Sequence, residues 1–269
     1  QFIKKPIKKI SFIKTKLKIN INKKKKNFLV LESFYKTGDS DYKQIKITNN
    51  LNKKKQNYLI DVNLTENIFL ELINFKTNNK KKANIKSEFN IENNNINFKY
   101  IIFTEDKNAI SVNGLKINSK SEIEKISNID IKTFNKNKEN NNFKINFKKK
   151  IFIVGEKYDS TYLLKVLSSD TKKNFLKNFS KDVNIKLKNL ITKSLIPLDN
   201  FNLIGRIEKG KFIKASSKSE FSKNKYLDIS LKEQLNKKKK LEVYSDLPQA
   251  LLADYKFFDG LKGGKLLYN

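Results

Sequence analysis

Apolar and polar residues alternate with a period of two along much of this chain. The run Phe143, Ile145, Phe147, Ile151 and Ile153 has Lys144, Asn146, Lys148 and Lys150 set between its members. Successive side chains of an extended backbone point to opposite sides, so this run makes a strand with one apolar and one wet face. Wound into a helix, the same residues would scatter around the axis. Val183, Ile185, Leu187 and Ile191 repeat the pattern with Lys186 and Lys188 opposite; Phe201, Leu203 and Ile207 follow it, as do Leu227, Ile229 and Leu231. In the N-terminal half it recurs at Ile13, Leu17, Ile19 and Ile21, at Ile45 and Ile47, and at Ile85, Phe89 and Ile91. The expectation is an all-β fold of half-buried antiparallel strands with a few short helices.

Gly and Pro, the usual turn formers, number only 8 and 3. Clusters of Asn and Lys stand in their place at Lys23 to Asn27, Asn49 to Asn57, Thr77 to Lys82, Asn93 to Asn95, Asn135 to Asn142 and Asn236 to Lys240. Asn tolerates left-handed backbone and hydrogen-bonds its own main chain, so each cluster is read as a hairpin loop. Helical spacing occurs in three short places. Thr65 to Phe75 has Thr65 as a cap before Ile68, Phe69 and Leu72; Asp159 to Leu167 opens on an Asp-Ser cap; Leu247 to Tyr255 follows Ser245 and Asp246. The last two share an Asp, a spacer and a Leu-Leu pair, which suggests an internal repeat about ninety residues long. The organisation expected is an N-terminal β region over residues 1–141 and a second over residues 142–269, or one continuous elongated domain.

Composition is 38% hydrophobic, enough for a sizeable buried surface and too apolar for disorder. The net charge of +31, from 58 basic and 27 acidic residues, invites a nucleic-acid reading. Yet Arg206 is the only arginine, and base readout and bidentate phosphate contact favour arginine. Lys, Asn, Ile and Phe abound together and all use AT-rich codons, so genome composition accounts for the lysine excess better than polyanion binding does. The lysine runs also fall regularly between strands, as solvated loop tips do.

No Cys, His, Met or Trp occurs, so thiolate, imidazole and Cys/His metal chemistry have no carrier here. The carboxylate pairs Glu66 with Glu71, Glu122 with Glu124, and Asp254 with Asp259 sit in lysine-rich surroundings and read as solvated counter-charges. Ser160-Thr161 would need Lys165 as its base. Gly260 to Gly264, with Lys262 and Lys265, lacks phosphate-loop spacing and runs into a strand. The expectation is no enzyme, no cofactor and no metal. No apolar run approaches the roughly 20 residues of a spanning helix. The missing Met and the ending in a strand-like run predict an internal piece of a longer protein.

The segment Leu241 to Asn269, LEVYSDLPQALLADYKFFDGLKGGKLLYN, is the most specific in the chain. A strand leads into a Pro-started helical turn, Gly260, Gly263 and Gly264 end it, and Lys265 to Tyr268 starts another strand. This strand, "SDLPQALL", "FFDGLKGGKL", strand sequence resembles the C-terminal repeat unit of AsmA-like envelope proteins of the YhdP type, over Phe201 to Asn269 and more weakly back to Asn142. The resemblance implies a curved, taco-shaped β groove that carries phospholipid acyl chains between inner and outer membranes. It implies a periplasmic location and an inner-membrane anchor outside this segment. The groove lining carried over is Phe143, Ile145, Phe147, Ile151, Ile153, Val183, Ile185, Leu187, Phe201, Leu203, Leu227 and Ile229. The partners expected are therefore phospholipid acyl chains and the two membranes, with no specific nucleic acid. Two other readings stand beside it: a lysine-rich RNA- or ribosome-binding protein, and a structural surface β-repeat module.

Overall fold

The computed structural model describes residues 9–21, 27–51, 56–78, 80–163, 180–193, 196–222, 224–234, 238–249 and 264–268. These residues are almost entirely strand. Seventeen strands are hydrogen-bonded into one mostly antiparallel sheet, and two more form a separate small hairpin. The large sheet does not close into a barrel. The chain divides into two compact units, residues 1–70 with 75–133, and residues 71–74 with 134–269.

The first unit is a meander of β1 (Ile10–Asn20), β2 (Asn27–Thr37), β3 (Lys43–Leu51) and β4 (Gln56–Asn63), continued by β7 (Ala83–Glu92), β8 (Asn95–Glu105) and β9 (Asn108–Ile117). Strand β9 is flanked by the short β10 (Ile123–Lys125) and by β11 (Asn128–Asn135). Tight turns join several strands, and asparagine does the work expected of it. Asn93 and Asn94 adopt φ of 50° and 59°, the doubly left-handed turn that matches strand twist. A bulge at Lys14, φ 53°, shifts the register of β1, so Ile13 faces the side opposite Leu17 and Ile19. The expected single-faced run in that strand is corrected accordingly.

The helix expected over Thr65 to Phe75 is a hairpin instead. Strands β5 (Phe69–Leu70) and β6 (Phe75–Lys76) flank a single 3-10 turn at Glu71–Ile73. Thr77 ties the arms together, its Oγ1 accepting the Ile68 N–H at 2.7 Å and its own N–H donating to the Ile68 carbonyl at 3.0 Å. Within the first unit Phe75 is buried, its ring edge-on to Phe103 at 5.6 Å. Burial of that ring outweighs the weak local helical preference.

The second unit contains β12 (Lys138–Phe147), β13 (Ile151–Asp159), β14 (Lys181–Ile191), β15 (Leu198–Glu208), β16 (Lys211–Ser222), β17 (Lys225–Glu233), β18 (Lys239–Ser245) and β19 (Leu266–Tyr268). All neighbours are antiparallel except β13 and β14, which run parallel. Strands β18 and β19, on either side of the third expected helix, are antiparallel, whereas β13 and β14, on either side of the second, are parallel, so those two places do not repeat one arrangement of strands.

The cluster Asn135 to Asn142, expected as a loop, turns only at Lys136 and Asn137, with φ of 47° and 66°. Asn140 and Asn141 lie inside β12 and are buried because they hold the segment Glu71–Asn74. Asn141, 0% exposed, donates to the Ile73 carbonyl at 2.6 Å and accepts the Asp159 N–H at 2.8 Å. Asn74 and Asn140 both donate to Asp159 Oδ2, at 2.9 and 3.3 Å, and Tyr158 donates its hydroxyl to the Leu72 carbonyl at 2.9 Å. Strand also extends into four other expected loops, at Asn27, at Asn49 to Leu51 with Gln56 and Asn57, at Asn95, and at Lys239 and Lys240.

Of the other two expected helices only the leading residues are described. Asp159 Oδ1 accepts the Thr161 N–H at 3.2 Å, and Ser245 Oγ accepts the Leu247 N–H at 3.1 Å. Residues 164–167 and 250–255, and with them most of the motif that carries the resemblance, lie outside the described residues. Leu266–Tyr268 pairs with β18 as the strand expected there.

Candidate apolar groove

Cross-strand register carries the alternation from one strand to the next. In the second unit Ile145 lies opposite Ile153, which neighbours Ile185; Ile185 faces Leu203, then come Ser217, Ile229 and Val243. A parallel row beside it reads Phe147, Ile151, Val183, Gly205, Ala215, Leu231 and Leu241. On the other flank Phe143, Gly155, Leu187 and Phe201 are in register, and Ser219, Leu227, Ser245 and Leu266 continue the face. All twelve residues expected to line a groove therefore stand on one side of this sheet.

Glycine is needed at 155. A Cβ there would come within 2.3 Å of the Asn142 carbonyl oxygen and 2.4 Å of Phe143 Cα, where β13 carries the extra residue Glu156 against β12. Phe143 fills the space instead, its ring 4.8 Å from that of Tyr158. Burial and the nearby Asp159 charge push the Tyr158 hydroxyl pKa upward.

This face is sheltered. Phe143, Ile151, Val183, Leu187 and Leu227 are buried, and Ile145, Phe147, Ile153, Ile185, Phe201, Leu203 and Ile229 are half-buried. On the other side Val154 and Ile204 are 47% and 66% exposed and Phe152 is half-buried, while Leu241 at the end of an apolar row is 41% exposed.

The first unit is built alike. One row runs Leu31, Ile47, Ile60, Ser87, Ile101, Val112 and Ile129; the next runs Ser33, Ile45, Val62, Ile85, Phe103, Ile110 and Ile131. Tyr58 stacks on Phe89, and Phe98 lies tilted against Phe89, both at 5.1 Å, extending the surface. Sequence reading named only Ile45, Ile47, Ile85 and Phe89 of these. The others were legible as alternation in β4, β8, β9 and β11.

The opposite faces carry interleaved charge. In the first unit Glu32, Lys46, Asp61 and Lys86 form a cross-strand ladder with Lys46–Glu32 at 2.6 Å and Lys86–Asp61 at 3.4 Å. Hydrogen bonding to Lys46 holds the Glu32 carboxyl below its ordinary pKa. In the second unit Lys188 pairs with Glu156 at 2.7 Å and Lys232 with Glu242 at 3.4 Å. Such exposed pairs add little to stability, but they break up the cationic surface.

The candidate catalytic groups are occupied elsewhere. Glu66 accepts the Thr37 hydroxyl at 2.9 Å, Glu122 accepts the Asn118 amide at 3.1 Å and Glu124 pairs with Lys116 at 3.0 Å. Ser160 donates to the Ile191 carbonyl at 2.8 Å. Gly264 adopts φ 97°, and Lys265 reaches Asp246 at 3.4 Å. Lys165, Asp254, Asp259 and Lys262 lie outside the described residues. Among the described residues no group of acidic side chains is arranged to hold a metal, and no helix is long and apolar enough to cross a membrane. Set against protein-family profiles, curated proteins and solved structures, the chain matches none of them.

Proposed function

We propose that this chain shields phospholipid acyl chains on the apolar faces of its sheet, as a non-enzymatic segment of a path between membranes. One observation carries the reading: apolar residues stay in register across successive strands of each unit, on a side less exposed than its back. An apolar surface of that continuity needs an apolar cover. The seven strands from β12 to β18 extend a row over about 29 Å at about 4.8 Å per strand, against about 15 Å for half a bilayer core. An acyl chain fits along it. Each methylene withdrawn from water gains about 0.8 kcal/mol wherever along the row it lies, so a uniform lining presents low barriers to movement. The resemblance to AsmA-like envelope proteins points the same way and suggests the periplasm as the place of action.

The test is lipid extraction and mass spectrometry on the purified chain. Phospholipid should co-purify with the wild type, and Phe147→Glu should reduce it while far-ultraviolet circular dichroism stays that of a β protein. A folded wild type free of phospholipid would overturn the reading.

A further inference from the structure

We propose that the lipid held by the second unit has an anionic headgroup, read by lysines along one edge of its sheet; this rests on the groove reading above. The register puts the β12–β13 turn, the start of β14, the β15–β16 turn and the β17–β18 connection on that edge, because Phe147 lies opposite Ile151, Lys181 opposite Ile207, Glu208 opposite Lys211 and Glu233 opposite Lys239. Lys148, Lys149 and Lys150 make the first turn. Lys209 and Lys211 bracket Gly210 in the third, and Lys238, Lys239 and Lys240 lead into β18.

Two of these lysines stand on the apolar side itself. Lys181 precedes Val183 by one pleat and Lys239 precedes Leu241 by one pleat, so each flanks the apolar row with a cation, and their ammonium groups donate to the Lys148 and Phe212 carbonyls at 2.9 and 2.8 Å.

The carboxylates on this edge neutralise only part of it: Lys150 lies 3.9 Å from Asp182, Lys240 pairs with Glu242 at 2.9 Å, and Glu233 stands opposite Lys239. Arg206 engages both Asp182, at 3.1 Å, and Glu208, at 2.8 Å. Lys148, Lys149, Lys209 and Lys211 have no ion-pair partner among the described residues, and all four are exposed.

The opposite edge is balanced. There Glu139, Asp159, Asp199, Glu220 and Asp246 stand among Lys138, Lys157, Lys193 and Lys225. A lipid with its tails along the rows thus meets a large excess of lysine over carboxylate at one end of the strands only. A phosphodiester that keeps its net negative charge fits that edge better than a zwitterion. Lysine suits the task, since it offers point charge without the fixed fork of arginine.

The experiment incubates the whole chain with vesicles of equal phosphatidylcholine and phosphatidylglycerol, reisolates it, and measures bound lipid by mass spectrometry. The expected result is phosphatidylglycerol enriched about fivefold, the effect of one lysine engaged at an anionic surface. Lys148→Gln, Lys149→Gln and Lys211→Gln combined should return the ratio towards that of the vesicles. The matched change at the other edge, Lys138→Gln, Lys193→Gln and Lys225→Gln, should leave the enrichment intact. Enrichment should also survive in inorganic phosphate buffer.

Bound lipid at the vesicle ratio would overturn the headgroup assignment and leave the groove standing. No bound lipid at all would overturn both. Loss of enrichment in inorganic phosphate would assign the edge to free phosphate. Single-stranded RNA that binds the wild type, is lost in the first triple variant and displaces no lipid would assign the edge to nucleic acid.

Discussion

Placing a carboxylate at two neighbouring positions of one strand separates a sheltered groove from a covered core. Val183 and Ile185 stand on the same side of β14, but Val183 is 4% exposed whereas Ile185 is half-buried between Ile153 and Leu203. At Ile185→Glu the loss is part of the 1.5–3 kcal/mol of a fully buried aliphatic side chain, roughly 1 kcal/mol, plus a modest desolvation cost because water reaches the new group. The sum is about 1–2 kcal/mol. At Val183→Glu the full burial is lost and an unpaired charge is left in the interior, so the cost is about 3–5 kcal/mol. Desolvation raises the folded-state pKa of the carboxyl introduced by Val183→Glu above its unfolded value. The penalty at that position therefore stands in full at neutral pH and fades as pH falls through the raised pKa. Urea denaturation of both variants at neutral and acid pH reads these differences. A loss of 3–5 kcal/mol at both positions would show a closed core and refute the groove argument.

Three further outcomes follow from particular contacts. Gly155→Val should destabilise by about 3 kcal/mol or more, because its Cβ meets backbone at 2.3 Å, and thermal unfolding checks it. Asn141→Ala should lower stability by about 2–4 kcal/mol in chemical denaturation, since it strands both the Ile73 carbonyl and the Asp159 N–H. Burial raises the folded pKa of Tyr158 above its ordinary value of 10.0, so stability is fully present below that pH and is lost as pH rises beyond it. Tyr158→Phe should cost about 1 kcal/mol at neutral pH and flatten the alkaline decline, which pH-dependent denaturation measures.

The strands were legible because alternation is a one-dimensional record of which side of a sheet is wet. The turn at Asn93 and Asn94 was legible too, since few residues accept two successive left-handed conformations. Asn140 and Asn141 were not, because their composition is that of a loop and only the distant Ile73, Asn74 and Asp159 make them core residues. The helix expected at Thr65 failed for the same reason: Phe75 finds its partner at Phe103, a contact that no local pattern records. The parallel pairing of β13 with β14 is likewise set by the path of the chain and not by residue spacing. All twelve candidate lining residues share one face, yet β16 escaped notice. It crosses that face with Ala215, Ser217 and Ser219, small residues that carry the register without an apolar signal.

Photo-cross-linking tests the central claim most directly. A benzophenone side chain is placed at Ile145, Ile185 or Ile229 on the apolar face, and at Lys144, Lys186 or Ser230 on the other. Irradiation in cells followed by mass spectrometry of the purified chain should find phospholipid adducts at the first three positions and none at the second three. Adducts on both faces alike, or on neither, would contradict the account.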